Sequence, residues 1–170
     1  MNTLEAIYTR RSTRKFTKES VPKELQEELI KAAMFAPSAY NQQPWQFIII
    51  DDKELLKQIP SFHPHAAMCK EAPLAILVCG DLRLEISKSF WIQDCCAAVE
   101  NLLLAAHEKG LGAVWTGVHP REEREAAFRQ MCKLPKEVIP LSFVVIGYPA
   151  EKVPTPPQRF KKERIHHNGW

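Results

Sequence analysis

A chain of 170 residues with 45% apolar and 25% charged side chains lies in the ordinary globular range, which argues against disorder. Its net charge of +3, from 23 basic and 20 acidic residues, is too small to point to nucleic acid. The start, Met1-Asn2-Thr3-Leu4-Glu5, lacks the basic-then-apolar layout of a secretory leader, and no apolar run approaches the ~18 residues of a membrane helix. A cytoplasmic protein without membrane contact is therefore expected, folded as one domain over residues 1–170. Its five cysteines are odd in number and show no C-x-x-C spacing, so reduced thiols are expected rather than disulfides or zinc ligands.

In chain order, residues 3–11 read as a helix with Thr3 as N-cap and Glu5 in the first turn. Residues 22–35 read as a second, opened by Pro22 and carrying Leu25, Leu29, Ile30 and Ala33 on one stripe. Apolar Trp45–Ile50 predicts a strand, 52–59 a short helix and 74–79 a further strand. The longest helical pattern spans 85–109, with Ile92, Cys96, Val99, Leu102, Leu103 and Ala106 recurring at three and four residues before Gly110 ends it. A strand at 112–116, a helix at 120–131 with early acidic residues, and a strand at 141–147 complete the pattern. The strands are apolar on both faces, and helices interleave with them, so a three-layer α/β sandwich is expected. From Pro149 onwards the four prolines at 149, 154, 156 and 157 favour an extended arm. Its Phe160, Ile165 and Trp170 need cover, for which a partner subunit is one candidate and a frayed tail the other.

Two segments carry the functional signal. Ala36-Pro37-Ser38-Ala39-Tyr40-Asn41-Gln42-Gln43-Pro44-Trp45 contains no charge, and its prolines fix two φ angles around a hydroxyl and neutral amides. Such a turn suits a flat, uncharged heterocycle; equally, its polar groups could satisfy their own backbone. Arg10-Arg11-Ser12-Thr13-Arg14 is a candidate anion site, because guanidinium groups bind phosphate through paired, charge-assisted hydrogen bonds. A solvated basic face is the alternative.

Gly110-Leu111-Gly112-Ala113-Val114-Trp115-Thr116-Gly117 fails as a dinucleotide fingerprint, lacking the third glycine and the strand-then-helix order. Gly110 and Gly112 read as turn residues. A strand ending at Gly117 would let a ligand approach backbone N–H groups. His63-Pro64-His65 and His166-His167 lack further metal ligands, and there is no nucleophile elbow. Amides, an anion site and no acid/base machinery describe a protein that holds a cofactor and lets it carry the chemistry.

Taken together with Ile146-Gly147-Tyr148-Pro149 and Arg159-Phe160, these segments resemble the nitroreductase family of flavin-dependent oxidoreductases, in the family's order and over nearly the whole chain. The resemblance implies an α+β three-layer sandwich with a mixed, mostly antiparallel sheet. It further implies a homodimer with FMN at the subunit interface and a C-terminal arm, about 149–170, swapped onto the partner. Arg10, Ser12 and Arg159 would then hold the phosphate and ribityl chain, and Arg14 would lie by the flavin N1/O2 edge. Pro37, Ser38, Ala39 and Asn41 would line the ring from the other subunit. Thr116 and Gly117 would offer backbone N–H groups to N5 and O4, with Arg11 and Trp115 counted among the cofactor-binding residues.

The implied reaction passes hydride from NAD(P)H through flavin N5 to a nitroaromatic, quinone or similar small acceptor by a ping-pong mechanism. Related alternatives are dehydrogenation or reductive dehalogenation on the same fold, or non-enzymatic FMN binding. At this length the chain has no room for the helical insertions that cover the flavin in larger relatives.

Overall fold

The computed structural model describes all 170 residues. The helices are α1 (Thr3–Thr9), α2 (Lys23–Met34), α3 (Lys53–Gln58), α4 (Trp91–Glu108) and α5 (Glu122–Met131). The strands are β1 (Trp45–Ile50), β2 (Leu74–Asp81), β3 (Gly112–Gly117) and β4 (Val138–Gly147). They form one four-stranded sheet in the order β1-β2-β4-β3. Every ladder is antiparallel, so the sheet is not mixed as expected. The parallel element is a single bridge, Ser12 to Ala113, outside the named strands.

Both faces of the sheet are covered. Along β2, Leu74, Ile76 and Val78 face one way and pack with Leu29 and Ala33 of α2 and with Cys95, Val99, Leu102 and Ala106 of α4. The alternate residues Ala75, Leu77 and Cys79 face the other layer, with Leu56 of α3, Phe128 of α5 and the intervening Ile59, Ala66 and Cys69. Period-two alternation with apolar residues at every position is what burial on both faces requires. Helices on both sides impose this pattern on an antiparallel sheet as they do on a parallel one.

Local signals set most element ends. Asn2, rather than Thr3, caps α1: its side chain accepts from the Glu5 N–H, and Glu5 reaches back to the Asn2 N–H in a capping box. Pro22 occupies the N-cap of α2 rather than its first helical position. Gly110, at φ +76°, supplies the left-handed turn after α4. The α4 helix begins at Trp91, six residues later than its apolar pattern suggested. The preceding residues are diverted by other bonds, with Arg83 clamped on Asp81 at 2.7–2.8 Å and the Ile86 and Ser87 N–H groups donating to Gln42.

All five cysteines are free; Cys69, Cys79 and Cys95 are buried, and burial pushes the Cys79 thiol up to about 12. The chain from Glu151 onwards contains no strand and only a single short turn of helix at Lys162–Arg164, matching an extended arm.

Candidate functional site

The arginine-rich segment follows α1 directly. At Arg10 the backbone leaves the helix (φ −56°, ψ 135°) and runs along the outer edge of β3. Ser12 bridges Ala113, and the Thr13 N–H donates to the Ala113 carbonyl at 3.0 Å. This approach explains Gly112, which is a strand residue and not the turn residue expected. A Cβ there would lie 2.5 Å from Thr13 Cγ2, so only glycine lets the segment lie flat on β3. The arm lies against the same segment: Arg11 Nη1 donates to the Thr155 carbonyl at 2.9 Å, and Lys15 pairs with Glu151 at 2.8 Å.

Arg10 has an incomplete set of partners. Its Nε is buried without a hydrogen bond, the nearest acid being Glu100 of α4 at 3.4 Å. It lines a cleft of about 280 Å³ together with Arg11, Thr13 and His107. Burial, and then the Arg10 charge, hold the His107 pKa below its usual value. Arg14 and Arg159 are exposed and form no ion pair. Arg159 borders a groove of about 670 Å³ with Ile7 and Tyr8 of α1. Cationic groups from both ends of the chain therefore gather around the end of α1, with the exposed Ser12 beside them.

Because β3 is an edge strand, half of its backbone groups face outward. The Ala113 carbonyl accepts from Thr13 on the open side, and the Val118 N–H donates to Leu141 on the β4 side. Alternation then turns the Trp115 and Gly117 N–H groups to the open edge and the Thr116 N–H into the ladder. Thr116 is therefore not the free donor expected; its hydroxyl is also committed, donating to the Phe143 carbonyl at 2.7 Å. The free donors are those of Trp115 and Gly117. Arg124 of α5 holds the Gly117 carbonyl at 2.8 Å, and nothing lies within 4 Å of where a Gly117 Cβ would be.

The uncharged turn adopts a strained conformation. Tyr40, Asn41 and Gln43 all have positive φ, at 51°, 54° and 46°. Left-handed residues other than glycine cost of order 1–3 kcal/mol each and persist where the surroundings over-determine them. Here α4 supplies the constraint: Asp94 accepts from the Ala39 N–H at 2.9 Å and from Gln42 Nε2 at 2.6 Å. Ser38 Oγ accepts from the Gln43 N–H, and Asn41 Oδ1 from Gln43 Nε2. Most of the turn's polar groups thus satisfy one another. What remains outward is Pro37, Tyr40 and the Asn41 amide nitrogen, with Tyr40 78% exposed.

The turn and the end of β3 meet at the first turn of α4, where Trp91 packs edge-on against His119 with ring centroids 5.1 Å apart. His119 is in turn fixed by Glu125 at 2.7 Å. No hydrogen bond joins Ala36–Trp45 to Arg10–Arg14 or to Trp115–Gly117; the turn is held by Asp94 of α4, and Arg10 lies by Glu100 of the same helix.

Asp94, Glu100, His119 and Arg124 were not picked out as functional from the sequence. Asp94 carried a signal, since an acid inside the apolar stripe of Trp91, Cys95 and Ala98 requires a buried partner. No group of His, Cys, Asp and Glu side chains is arranged to hold a metal ion. An Arg10 Nε without a hydrogen bond, free guanidinium groups at Arg14 and Arg159, two open N–H donors and space beside Gly117 fit a ligand with a phosphate at one end and hydrogen-bond acceptors along a flat edge.

The model of the family described as "Nitroreductase family" matches residues 7–67 and 63–148. A protein of Methanothermobacter thermautotrophicus, provisionally named NADH dehydrogenase/NAD(P)H nitroreductase, is 49% identical over 170 residues, covering 100% of this chain and 88% of the relative. The crystal structure of a protein of the same provisional name from Parabacteroides distasonis superposes with a TM-score of 0.95 at 44% identity, covering 100% of both chains. A provisionally named nitroreductase of Desulfovibrio desulfuricans, crystallised in complex with FMN, superposes with a TM-score of 0.86 at 29% identity, covering 100% of this chain and 99% of that one.

Proposed function

The chain belongs to the nitroreductase family, and on that premise we propose that it is an NAD(P)H-dependent FMN oxidoreductase that reduces a nitroaromatic, quinone or similar acceptor by a ping-pong mechanism. FMN, when bound, supplies the chemistry, accepting hydride from NAD(P)H and passing it to the acceptor. The observation that carries this reading is the buried Arg10 Nε, which makes no hydrogen bond and has only the half-exposed Glu100 within ion-pair reach, next to the open edge of β3.

Arg10, Ser12 and Arg159 would hold the phosphate, and Arg14 would face the pyrimidine edge, where a positive charge favours the reduced ring. Arg11 would act at one remove, tying down the arm through Thr155. The Trp115 and Gly117 N–H groups would meet the acceptors on the ring edge, and the exposed Trp115 side chain would border it. Pro37, Ser38, Ala39 and Asn41 would line the ring of a second subunit, as the family resemblance implies. This requires a homodimer, with residues 1–170 as one domain and the arm exchanged. No helix is long and apolar enough to cross a membrane, and a cytoplasmic site of action fits.

The test is direct. The purified protein should be yellow and should bleach anaerobically on adding NADH or NADPH. Initial-rate lines at several acceptor concentrations should run parallel. Arg10→Ala should lower FMN retention at least tenfold with the fold intact. A colourless protein that cannot be reconstituted with FMN overturns the proposal.

A further inference from the structure

A second concave surface lies where β1 ends and β2 begins. It is a cleft of about 660 Å³ between the loop before α2, the start of α2, the end of β1 with α3, and the chain leading into β2. The cleft shares no lining residue with the one beside Arg10.

The cleft is rich in amines. Lys18, Lys23, Lys53, Lys57 and Lys70 line it, against two acids, Asp51 and Glu71. Lys57 is engaged by Glu54 at 2.7 Å. The other four lysines form no ion pair, and neither acid lies within salt-bridge distance of an amine. Four ammonium groups on three chain segments thus border one cavity, none of them in an ion pair. On a solvated helix face, lysines are normally interspersed with acids at three- and four-residue spacing. Here the convergence is tertiary.

The cleft is also held in shape. Gln26, 8% exposed, donates from Nε2 to the Val21 carbonyl at 2.8 Å and so fastens the loop to α2. The first-turn N–H groups of Lys23 and Glu24 are uncapped, because Pro22 at the N-cap has no side-chain acceptor. They add donors and a positive dipole end to the lysines.

We propose that this cleft binds a compact polyphosphate anion, free or as the di- or triphosphate of a nucleotide, at a site separate from the flavin. Several closely spaced phosphates match several amines across a concave wall, where a single carboxylate would engage only one or two. The inference rests on the chemistry of the cleft and not on the flavin reading, so if FMN does not bind, the same titration and the same outcomes apply to the protein without FMN.

The experiment is calorimetric titration of inorganic tripolyphosphate, ATP and adenosine into protein saturated with FMN, so that the arginine site is already filled. Tripolyphosphate and ATP should each bind once per chain, weakening several-fold when salt is doubled, and adenosine should not bind. Equal affinities for the two anions mark the phosphates alone as the ligand; tighter ATP binding marks a nucleotide. The double substitution Lys23→Ala/Lys70→Ala should weaken both at least tenfold, and Lys161→Ala/Lys162→Ala in the arm should leave them unchanged. The circular dichroism spectrum and FMN content of both variants should match the parent. Absence of saturable binding to the FMN-saturated protein, or equal binding by the Lys23/Lys70 variant, overturns the proposal.

Discussion

Asp94 holds Gln42 at 2.6 Å, joining the first turn of the central helix to the uncharged turn at Pro37–Gln43. The Gln42 amide is fully used, since its Oε1 also accepts from the N–H groups of Ile86 and Ser87 at 2.9 Å. One buried side chain therefore sets the position of two loops relative to α4. The strained φ angles of Tyr40, Asn41 and Gln43 persist because this anchor leaves the turn no relaxed alternative.

Asp94→Ala should accordingly do two things. It leaves the Gln42 amide and the Ala39 N–H without an acceptor, costing on the order of 2–4 kcal/mol of stability. It also frees the turn to relax, so that residues 38–43 should lose amide-exchange protection ahead of the sheet. Chemical denaturation reads the first effect and hydrogen exchange the second. A variant with parental stability would show that Asp94 is not the anchor.

Gly112→Ala tests how closely the arginine segment lies on β3. The added methyl meets Thr13 Cγ2, Cβ and Oγ1 at 2.5–2.7 Å, and Thr13 is buried and cannot swing away. Overpacking of this kind costs about 1–3 kcal/mol. Here it should also displace Arg10 and Ser12, lowering both melting temperature and FMN affinity. In the double variant Gly112→Ala/Thr13→Gly, which removes Cβ, Cγ2 and Oγ1 together, much of the loss should return. Failure of that rescue would assign the cost to the β3 backbone instead.

Much of this arrangement is legible in the chain, and the rest is not, for identifiable reasons. Strand β1 falls at Trp45–Ile50 as its apolar run indicates, and the close of α4 follows Gly110, because these signals are local. The start of α4 is misplaced because Gln42, more than 40 residues away, competes for the Ile86 and Ser87 N–H groups. The segments that resemble the nitroreductase pattern are visible one by one, but their spatial grouping is not. The Ser12–Ala113 bridge brings Arg10 to the β3 edge, and no periodicity encodes a contact over 100 residues. Which N–H groups of β3 are free depends on strand partners, which is why Thr116 looks as suitable as Trp115 in the sequence.

Glu100→Gln addresses the electrostatics of the same edge. The half-exposed Glu100 carboxylate lies 3.4 Å from Arg10 Nε, and a phosphate bound by Arg10 would bring two negative charges close to it. The ion pair itself is worth at most about 1 kcal/mol at this exposure. The repulsion of the phosphate in a water-like medium is of similar size or larger, about 1 kcal/mol per unit charge at short range. The neutral isostere should therefore tighten FMN binding about 3- to 10-fold at low salt, with the gain shrinking at high salt. Quenching of flavin fluorescence on binding measures it. Weaker binding would instead identify Glu100 as the residue that orients Arg10.

His63 makes stability depend on pH. Its imidazole is fully buried, packed edge-on against Phe128, and neither ring nitrogen has a hydrogen-bond partner. Burial first, then the charges of Arg124 and His65, lower its pKa from 6.5 to about 4. The folded state thus holds a neutral ring while the unfolded chain takes up a proton near pH 6.5. The contribution is present in full above that pH and is lost progressively as pH falls towards 4, by up to roughly 3 kcal/mol. His63→Leu removes the titrating group at similar volume and should flatten the decline between pH 6.5 and 4. Urea unfolding of both proteins at pH 7, 5.5 and 4.5 makes the comparison, and parallel declines in the two would show that His63 does not control acid sensitivity.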